Sequence, residues 1–408
     1  MSLNNTPSSE RIHIGIYGKR NAGKSSIINA LTGQNLAIVS DVMGTTTDPV
    51  LKAMELLPLG PVVMIDTPGL DDDGELGTLR IQKAYQMLNK TDIALLVVDA
   101  HSGFTKEDAH ILLKIQDKQI PFAVIMNKCD LMEAEAVSAL TKEISQELNI
   151  DSKHIFCVSA EKKTNIYELK EFITTLVPSD QTSRRIVGDL IHPGDFIVLV
   201  VPIDKAAPKG RLILPQQQTI RDILDSDATS VVVKETDLKS TLDALGKKTS
   251  LIITDSQAFG KVSKDTPKDI PLTSFSILFA RYKGNLKTLV EGAKALDTLE
   301  DGDAILISEG CTHHRQCDDI GTVKLPRWIR EYSKKDIHFA FTSGTEFPYD
   351  LSKYKMIVHC GGCTLNEREM KYRMKCAKDA GVPMTNYGTA IAQMHGILDR
   401  SLEVFKDL

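Results

Sequence analysis

The sequence predicts an α/β protein of three domains, the first of which contains a mostly parallel β-sheet. Apolar runs of strand length alternate with helical patterns along the chain, which is typical of parallel sheets covered by helices. The polar stretch Pro178–Arg185 interrupts this pattern and is predicted to be a linker. A chain of 408 residues, 42% hydrophobic and 25% charged, has the composition of a globular protein. Its length is enough for roughly two to four domains.

The first domain is predicted to span residues 1–178. Its strands and helices alternate as expected for a sheet with helices on both faces. The predicted strands are Ile12–Tyr17, Val62–Ile65, Ile93–Val98, Phe122–Met126 and Ile155–Val158, and the predicted helices include Ser25–Leu31, Leu79–Leu88 and Glu107–Lys118.

The middle domain (186–272) and the C-terminal domain (273–408) continue the alternation. The middle domain has no catalytic pattern and is predicted to be a structural or oligomerisation module. Its predicted strands are Phe196–Val201, Ser230–Val233 and Leu251–Thr254, and its predicted helices are Gln218–Leu224 and Leu238–Leu245. In the C-terminal domain the predicted strands are Ala304–Ile307, His338–Phe341 and Met356–Val358, and the predicted helices are Leu286–Leu299 and Glu367–Ala380. Ligands of such sheets bind at the carboxyl ends of strands.

Charge and composition exclude several classes of function. The net charge is −5 and aromatic residues make up 5%, so we expect neither a nucleic acid nor a membrane as partner. The apolar runs are too short to span a bilayer, and the first residues lack the apolar core of a signal peptide. We therefore expect a cytoplasmic protein. In that reducing compartment, seven cysteines suggest metal or redox chemistry rather than disulfides.

The turn after the first strand carries a phosphate-binding motif. Gly18-Lys-Arg-Asn21-Ala22-Gly23-Lys24-Ser25 fits G-x-x-x-x-G-K-[ST] and lies between a predicted strand and a predicted helix. The glycines let backbone N–H groups face phosphates, and the start of the helix, which includes Ser26, adds its positive dipole end. We expect Lys24 to contact the β- and γ-phosphates and Ser25 to bind Mg²⁺.

Two further segments complete the predicted phosphate site. Asp66-Thr-Pro-Gly69 ends an apolar run. Asp66 is expected to hold Mg²⁺ through water, and the amide of Gly69 to sense the γ-phosphate. Gly44-Thr45-Thr46-Thr47-Asp48 lies between the two motifs, at the position of a mobile switch. We expect Thr46 to complete the Mg²⁺ shell.

A third motif predicts which base is bound. Asn127-Lys128-Cys129-Asp130 closes another strand. The carboxylate of Asp130 can accept hydrogen bonds from the N1–H and the exocyclic amine of guanine, an edge that adenine lacks. Ser159-Ala160 follows the next strand and is expected to back the guanine. The sequence therefore predicts GTP rather than ATP as the nucleotide.

Five of the seven cysteines lie in the last quarter of the chain. Cys311-Thr-His313-His314 follows one predicted strand and His359-Cys360-Gly-Gly-Cys363 follows another, so we expect both clusters at strand ends of one sheet. A C-x-x-C turn before a helix presents two thiolates to a metal. Spacing alone leaves four possibilities open: an iron–sulfur cluster, a structural zinc, a thioredoxin-like dithiol, and cysteines without a role.

Residues 11–177 resemble the translation-factor-related GTPases, in the branch of the tRNA-modification GTPase and Era-like proteins. In that branch an asparagine at the position of Asn21 coordinates potassium, so the resemblance implies a potassium-activated GTP hydrolase. A loop asparagine that bonds its own backbone is the alternative. Leu70 stands where Ras-like enzymes carry a water-positioning glutamine. We expect a distal carboxylate to orient the water instead, with Glu75 as the candidate and the aspartates 71–73 as rivals.

The whole chain, with its cysteine clusters, resembles the FeFe-hydrogenase maturation GTPase family (HydF). The segments that carry the resemblance are Gly44–Val50, Cys311–His314, Asp318–Trp328 and His359–Cys363. The resemblance implies a 4Fe–4S cluster held by Cys311, Cys360 and Cys363, with an open or weakly held fourth position.

Other residues near these cysteines are assigned through the same resemblance. His313 and His359 match the motif histidines and are expected to be either fourth ligands or hydrogen-bond partners around the cluster. Cys317 and Cys376 fall outside the motif and are expected to be non-ligands. Cys129 and Cys157, in the first domain, need no functional explanation.

The resemblance also implies a scaffold or carrier function. Two radical SAM maturases would build the diiron precursor of the hydrogenase active site, and this protein would hold it and deliver it to apo FeFe-hydrogenase. The middle domain would form a homodimer, and GTP hydrolysis would regulate partner interactions. Two other classes stay open: an RNA-associated GTPase with a zinc domain, and a GTP-regulated thiol oxidoreductase.

Overall fold

A computed structural model describes residues 6–33, 49–70, 74–177, 184–202, 212–310, 319–344 and 346–405. The chain divides into two compact units, Met1–Ser179 and Asp180–Leu408. Within these described ranges, none of the helices combines the length and the apolar character needed to cross a membrane.

Unit 1 contains a six-stranded sheet. Its strands are β1 (Ile12–Tyr17), β2 (Val50–Leu56), β3 (Gly60–Asp66), β4 (Ile93–Asp99), β5 (Phe122–Asn127) and β6 (Ile155–Cys157). They lie in the order β2-β3-β1-β4-β5-β6, and every pair is parallel except β2 with β3. The mostly parallel sheet predicted from the sequence is confirmed.

Helices cover both faces of this sheet. They are α1 (Lys24–Thr32), α2 (Gly74–Met87), α3 (Lys106–Asp117), α4 (Ala134–Glu147) and α5 (Ile166–Thr175). Because side chains alternate along a strand, Leu95 and Val97 of β4 join the apolar core under α1 and α5, whereas Leu96 and Val98 join the core on the other face. Strands β1, β3, β4 and β5 are buried on both faces along most of their length, which explains their continuous apolar sequences.

Unit 2 contains two four-stranded sheets, and all of their strand pairs are parallel. The first sheet has the order β10-β9-β7-β8 and the second has the order β12-β11-β13-β14. The strands are β7 (Phe196–Val200), β8 (Thr229–Val233), β9 (Thr249–Thr254), β10 (Leu272–Ser274), β11 (Ala304–Ser308), β12 (His338–Thr342), β13 (Met356–His359) and β14 (Met384–Asn386).

Nine helices of unit 2 lie within the described ranges. They are α6 (Leu214–Leu224), α7 (Leu238–Leu245), α8 (Phe259–Asp265), α9 (Phe275–Lys283), α10 (Leu286–Ala293), α11 (Leu325–Ser333), α12 (Glu367–Asp379), α13 (Tyr387–Met394) and α14 (Leu398–Leu402). The predicted helix Leu286–Leu299 ends earlier, because residues Lys294–Thr298 form a 3-10 turn.

One apolar core runs through both sheets of unit 2. It contains Val198 and Ile252 from the first sheet and Leu306 and Ile357 from the second. Helix α9 starts directly after β10, and its residues Ile277 and Phe279 belong to the same core. The limits of the predicted domains stay predictions, and the limit between residues 272 and 273 falls within β10.

Candidate functional site

The turn between β1 and α1 is shaped by two glycines that tolerate no side chain. Gly18 has φ 138° and Gly23 has φ 91°. A Cβ at Gly18 would lie 2.1 Å from the carbonyl oxygen of Val97, and one at Gly23 would lie 2.2 Å from Nδ2 of Asn127. The backbone of this loop can therefore approach a phosphate closely, as the motif requires.

Lys24 and Ser25 begin α1 and aim their polar groups at this loop and at β3. Nζ of the buried Lys24 donates to the carbonyl oxygens of Gly18 (2.9 Å) and Lys19 (2.7 Å). Oγ of Ser25 lies 3.2 Å from Oδ2 of Asp66. Burial raises the pKa of Asp66, and the nearby Lys24 ammonium partly opposes that shift. A divalent cation between Ser25 and Asp66 would favour the ionised carboxylate, which fits a Mg²⁺ site.

The guanine motif ties the ends of β5 and β6 to the phosphate loop. Asn127 is buried, and its Nδ2 donates to the carbonyl oxygen of Ala22 (3.0 Å) while its Oδ1 accepts from the amide of Ala160 (3.1 Å). Lys128 adopts φ 66° and its Nζ lies 2.7 Å from Oδ2 of Asp99. One asparagine thus holds both the phosphate loop and the loop of Ser159 and Ala160.

Asp130 presents an ionised carboxylate next to these loops. A hydrogen bond from Ser159 lowers the pKa of Asp130, and Lys162, at 3.4 Å, lowers it further. The amide of Lys162 in turn donates to Oγ of Ser159 (3.0 Å). An ionised carboxylate has only acceptors, so it selects a base edge that carries two donors.

The loop that carries Cys360 and Cys363 lies at the carboxyl end of the second sheet of unit 2. Strands β11 and β13 are parallel neighbours, with Ser308 opposite His359. The segment that leads from Ser308 through Gly310 and the loop from Cys360 to Cys363 therefore start at the same edge of the sheet. Oγ1 of Thr364 donates to the carbonyl oxygen of Gly310 (2.9 Å), which joins the two segments.

The sulfur of Cys360 lies in a cradle of backbone amides. It accepts from the N–H groups of Gly310 (3.0 Å) and Gly362 (3.4 Å). A Cβ at Gly310 would lie 2.6 Å from Cγ of Leu365, and one at Gly362, where φ is 65°, would lie 2.8 Å from Sδ of Met370. Two amide donors stabilise a thiolate, so this sulfur is suited to bind a metal or an iron–sulfur cluster.

A buried cation lies beside Cys363. Lys283, at the end of α9, is 3% exposed, and its Nζ donates to the carbonyl oxygens of Cys363 (3.3 Å) and Leu365 (2.9 Å). Burial raises the pKa of the Cys363 thiol, and the charge of Lys283 partly opposes this. A positive charge in this position would balance an anionic group held by the cysteines.

His359 is fully buried, and both of its ring nitrogens are hydrogen-bonded. Nδ1 lies 2.7 Å from the carbonyl oxygen of Cys360, and Nε2 lies 3.0 Å from Nη1 of Arg373. Burial, together with the Arg373 charge, lowers the pKa of His359 to about 3, so the imidazole is neutral. Ligation of a metal by Nε2 would require the bond to Arg373 to break.

Comparison with protein families decides where the chain belongs. The model of the hydrogen maturase F dimerization domain matches residues 186–284, and that of the hydrogen maturase F tetramerization domain matches residues 287–404. These two matches together span more than half of the chain. The chain therefore belongs to the hydrogen maturase F family. A third model, described as a 50S ribosome-binding GTPase, matches residues 13–128, so the N-terminal part is a GTPase domain that binds GTP and Mg²⁺.

The curated relatives of this chain are GTPases, and each matches only part of it. The tRNA modification GTPase MnmE of Desulforamulus reducens is 30% identical over 243 residues, which cover 59% of this chain and 48% of that protein. The GTPase Era of Halothermothrix orenii is 30% identical and covers 45% of this chain and 66% of Era. The GTPase Der of Wolinella succinogenes is 34% identical, and the match covers 44% of this chain and 38% of Der. The chain thus spans between 38% and 66% of the length of these relatives.

The three-domain α/β layout and the resemblance to this family are confirmed by these matches. The family models describe the middle domain as a dimerization domain, as the resemblance implied. They describe the C-terminal domain as a tetramerization domain, which the sequence analysis did not predict. The dimerization match ends at residue 284, after α9, whereas the predicted middle domain ends at residue 272.

Several predicted site residues lie outside the described residues. They are Thr46 with the rest of segment 44–48, the aspartates 71–73, and Cys311, His313, His314 and Cys317. Glu75 belongs to α2, but its side chain is likewise not described. Among the described residues no group of three or more His, Cys, Asp or Glu side chains could hold a metal ion. The predicted cluster ligands include Cys311, which lies outside the described residues.

The remaining predicted residues lie within the described part of unit 1. Asn21 is exposed and has φ 59°, and with Lys19 and Ala22 it lines a cavity that reaches Val97 and Asp99 at the end of β4. Ser26 lies in the first turn of α1, and Gly69 follows β3. Leu70 is buried, and its apolar side chain provides no polar group at the position of the water-positioning glutamine.

Sequence reasoning missed two charged residues that support the cysteine loops. Both are buried, although Lys283 is the last residue of α9, where a cation is usually exposed, and Arg373 lies in α12, which is rich in charged residues. The spacing of Glu369 and Arg373 on α12 is that of an ordinary surface ion pair. Nothing in the local pattern marks either cation as interior.

Proposed function

We propose that this protein is a GTPase and iron–sulfur carrier that holds the diiron precursor of the FeFe-hydrogenase active site and delivers it to apo-hydrogenase. The observation that carries the proposal is the amide cradle around Cys360, in a chain of the hydrogen maturase F family. The amides of Gly310 and Gly362 stabilise a thiolate directly beside the segment that leads to Cys311.

Each nucleotide motif has a defined task in the proposed GTPase reaction. The phosphate loop and Lys24 bind the β- and γ-phosphates, and Ser25, Asp66 and Thr46 hold Mg²⁺. Asp130 selects guanine, while Asn127 keeps its loop against the phosphate loop. Glu75 orients the attacking water in place of the missing glutamine.

Potassium is proposed to bind at Asn21 and to supply positive charge near the transferred phosphate. The exposed position of Asn21 in the phosphate loop, where it lines a cavity with Lys19 and Ala22, supports this proposal. The test compares GTP hydrolysis in potassium and in sodium buffers, for the wild type and for Asn21→Ala. We expect faster hydrolysis in potassium for the wild type alone, and equal rates in the two wild-type samples would remove the potassium site.

The C-terminal domain is proposed to hold a 4Fe–4S cluster through Cys311, Cys360 and Cys363. When bound, such a cluster has one iron without a cysteine ligand, and that iron supplies an exchangeable position for cargo. The hydrogen bonds of His359 favour a role for this residue beside the cluster rather than on it. His313 stays a candidate for either role.

The partners follow from the carrier function. Two radical SAM maturases would supply the diiron precursor, and apo FeFe-hydrogenase would receive it, in the reducing cytoplasm. The dimerization domain supports a homodimer as the working form. GTP hydrolysis would regulate when these partners bind, because the nucleotide motifs and the cysteines lie in separate domains.

Anaerobic purification followed by iron, sulfide and zinc analysis tests the cluster. We expect iron and sulfide in the ratio of a 4Fe–4S cluster, and loss of the chromophore in Cys311→Ser. Cys376→Ser is the matched control, because Cys376 lies on α12 and packs against the apolar core. Stoichiometric zinc without sulfide, even after reconstitution, would overturn the proposal, and a Cys360–Cys363 disulfide with activity surviving Cys311→Ser would favour a thiol oxidoreductase.

A further inference from the structure

Arg373 is a fully buried arginine in the centre of the C-terminal domain. Its guanidinium is hydrogen-bonded on every side, and its partners belong to four different segments. They are Oε1 of Glu369 on α12 (3.0 Å), Oγ of Ser308 on β11 (3.2 Å), Nε2 of His359 on β13 (3.0 Å) and the carbonyl oxygen of Gly344 after β12 (2.7 Å). The ring of Phe347 lies 5.2 Å from the guanidinium carbon.

These partners place the guanidinium at the ends of the two strands that precede the cysteines in the sequence. Ser308 ends β11, the strand that leads to Cys311, and His359 ends β13 and directly precedes Cys360. A planar group with five donors can hold four acceptors in fixed directions, which a lysine ammonium cannot do. Arg373 therefore fixes the spacing between the ends of β11, β12 and β13.

The bond to His359 also fixes the chemistry of that imidazole. A guanidinium has no acceptor, so Nε2 must accept and carries no proton. The proton is then on Nδ1, which donates to the carbonyl oxygen of Cys360. The Nε2 lone pair, the atom by which His359 could bind iron, is already used by Arg373.

We propose that Arg373 is a positioning residue that keeps His359 off the iron–sulfur cluster and so leaves the fourth iron position available to cargo. This inference rests on the proposed cluster site in the C-terminal domain. A purely structural arginine would hold the strand ends together without any effect on the ligands of the fourth iron. The two roles can therefore be separated by the spectroscopy of the cluster.

The test removes the hydrogen bond between Arg373 and His359 without leaving an unpaired charge in the interior. Loss of Arg373 alone would leave Glu369 buried without its partner, so the variant is Arg373→Met with Glu369→Gln. Full-length protein labelled with ¹⁵N-histidine is reconstituted and reduced, and nitrogen coupling to the cluster is measured by pulsed EPR. We expect no coupling from His359 in the wild type, and a coupling in the variant that disappears when His359→Gln is added.

Cyanide serves as the probe for the open iron position. In the variant we expect its affinity to fall about tenfold, since His359 now competes for the iron. Arg330→Met is the matched control, because Arg330 also bonds a carbonyl oxygen (Ile337, 2.7 Å) and stacks on an aromatic ring (Phe339, 4.9 Å) in the same domain. The control should leave both the coupling and the cyanide affinity unchanged.

The outcomes separate this inference from the proposed function. Absence of iron and sulfide in the wild type would refute the cluster site itself. If the variant has a normal cluster with an unchanged EPR signal and an unchanged cyanide affinity, only the proposed role of Arg373 is refuted. If the variant loses its cluster, ¹⁵N NMR of iron-free wild-type protein identifies the tautomer of His359 instead. A protonated Nδ1 supports the proposed role of Arg373, and a protonated Nε2 contradicts it.

Discussion

The phosphate loop and the cysteine loop are built by opposite means. Both follow a parallel strand at the carboxyl edge of a sheet, and both rely on glycines and backbone amides. The phosphate loop is shaped by consecutive residues, from Gly18 to Ser25, with Asn127 as its distant support. The cysteine loop is held by side chains far apart in sequence, among them Lys283 and Arg373. A local motif can therefore be read from the sequence, whereas a site held by long-range contacts cannot.

The largest effect should come from Lys24→Ala, which removes the cation of the phosphate loop. We expect kcat for GTP hydrolysis to fall about 10³-fold, because a preorganised charge at the transferred phosphate is lost. Phosphate release measures the rate. Iron and sulfide content should match the wild type, since the cysteine loop has its own support. A parallel loss of iron would show that the two sites are not built independently.

The second-largest effect concerns two ion pairs that have the same distance between nitrogen and oxygen but differ in burial. Arg373 and Glu369 are buried and lie 3.0 Å apart, whereas Lys153 and Asp151, also 3.0 Å apart, are exposed. We expect Glu369→Gln to lower the free energy of unfolding of unit 2 by about 3 kcal/mol, because a charge is left buried.

Lys153→Met is the control for that substitution and should cause no measurable change, because water screens the exposed pair. Urea unfolding followed by the fluorescence of Trp328, the single tryptophan of the chain, reports on unit 2, and circular dichroism follows the whole chain, including unit 1 with Lys153. Equal stabilities of the two variants would contradict the importance of the buried network.

Two glycine substitutions sharpen the contrast between the loops. In Gly18→Ala the new Cβ would meet the backbone carbonyl of Val97 at 2.1 Å, which cannot move aside. We expect GTP affinity to fall about 100-fold. In Gly362→Ala the Cβ would meet only the flexible side chain of Met370, so the left-handed backbone dominates the cost. Retention of the cluster should fall about fivefold, as expected for about 1 kcal/mol of strain.

The controls for these glycines are chosen by backbone angle. Gly33 (φ 68°) and Gly381 (φ 67°) have left-handed conformations and nothing within 4 Å of an added Cβ. Gly33→Ala and Gly381→Ala should therefore cost stability without changing GTP affinity or iron content. Nucleotide titration and iron analysis on the same preparations provide both measurements, and a loss of GTP affinity in Gly33→Ala would point to backbone strain rather than the clash at Val97.

The smallest effect concerns the thiols of the two units in iron-free protein. The contact with Cys129 lowers the pKa of Cys157, and burial partly opposes this shift. Burial raises the pKa of Cys363. At pH 7.5 Cys157 therefore carries a larger fraction of thiolate than Cys363, so iodoacetamide should modify Cys157 several-fold faster.

Mass spectrometry of the labelled peptides checks this order across a pH series. The midpoint of Cys157 labelling should lie at a lower pH than that of Cys363, and Thr141→Val should shift the Cys157 midpoint upward. Labelling of Cys363 should still be rising above pH 9. The reverse order at pH 7.5 would mean that Cys363 is activated by its surroundings even without a metal.

The parts of the fold that were predicted correctly are those with a long local signal. Strands such as β4, which are buried on both faces, have continuous apolar sequences and were identified. Strand β2 was missed because it is an edge strand with mostly exposed residues. Strands β10 and β14 were missed because each has only three residues, and Thr273, Ser274, Thr385 and Asn386 are polar although buried.

The same distinction explains the two sites. Lys24, Asp66 and Asp130 belong to motifs whose chemistry is contained in a few consecutive residues. Arg373 bonds Ser308 across 65 positions of the sequence, and Lys283 reaches Cys363 across 80. Such contacts form only after the strands have assembled into the sheet, so only the folded chain reveals them.

The apolar core that runs through both sheets of unit 2 limits how this protein can be divided. A fragment that began at residue 287, where the tetramerization match starts, would lack α9 and with it Lys283 beside Cys363. It would also expose the core that Ile277 and Phe279 share with the second sheet. For protein engineering, the smallest portable cysteine module therefore begins before Ile186, and a chimaera that exchanges only the GTPase domain should fold.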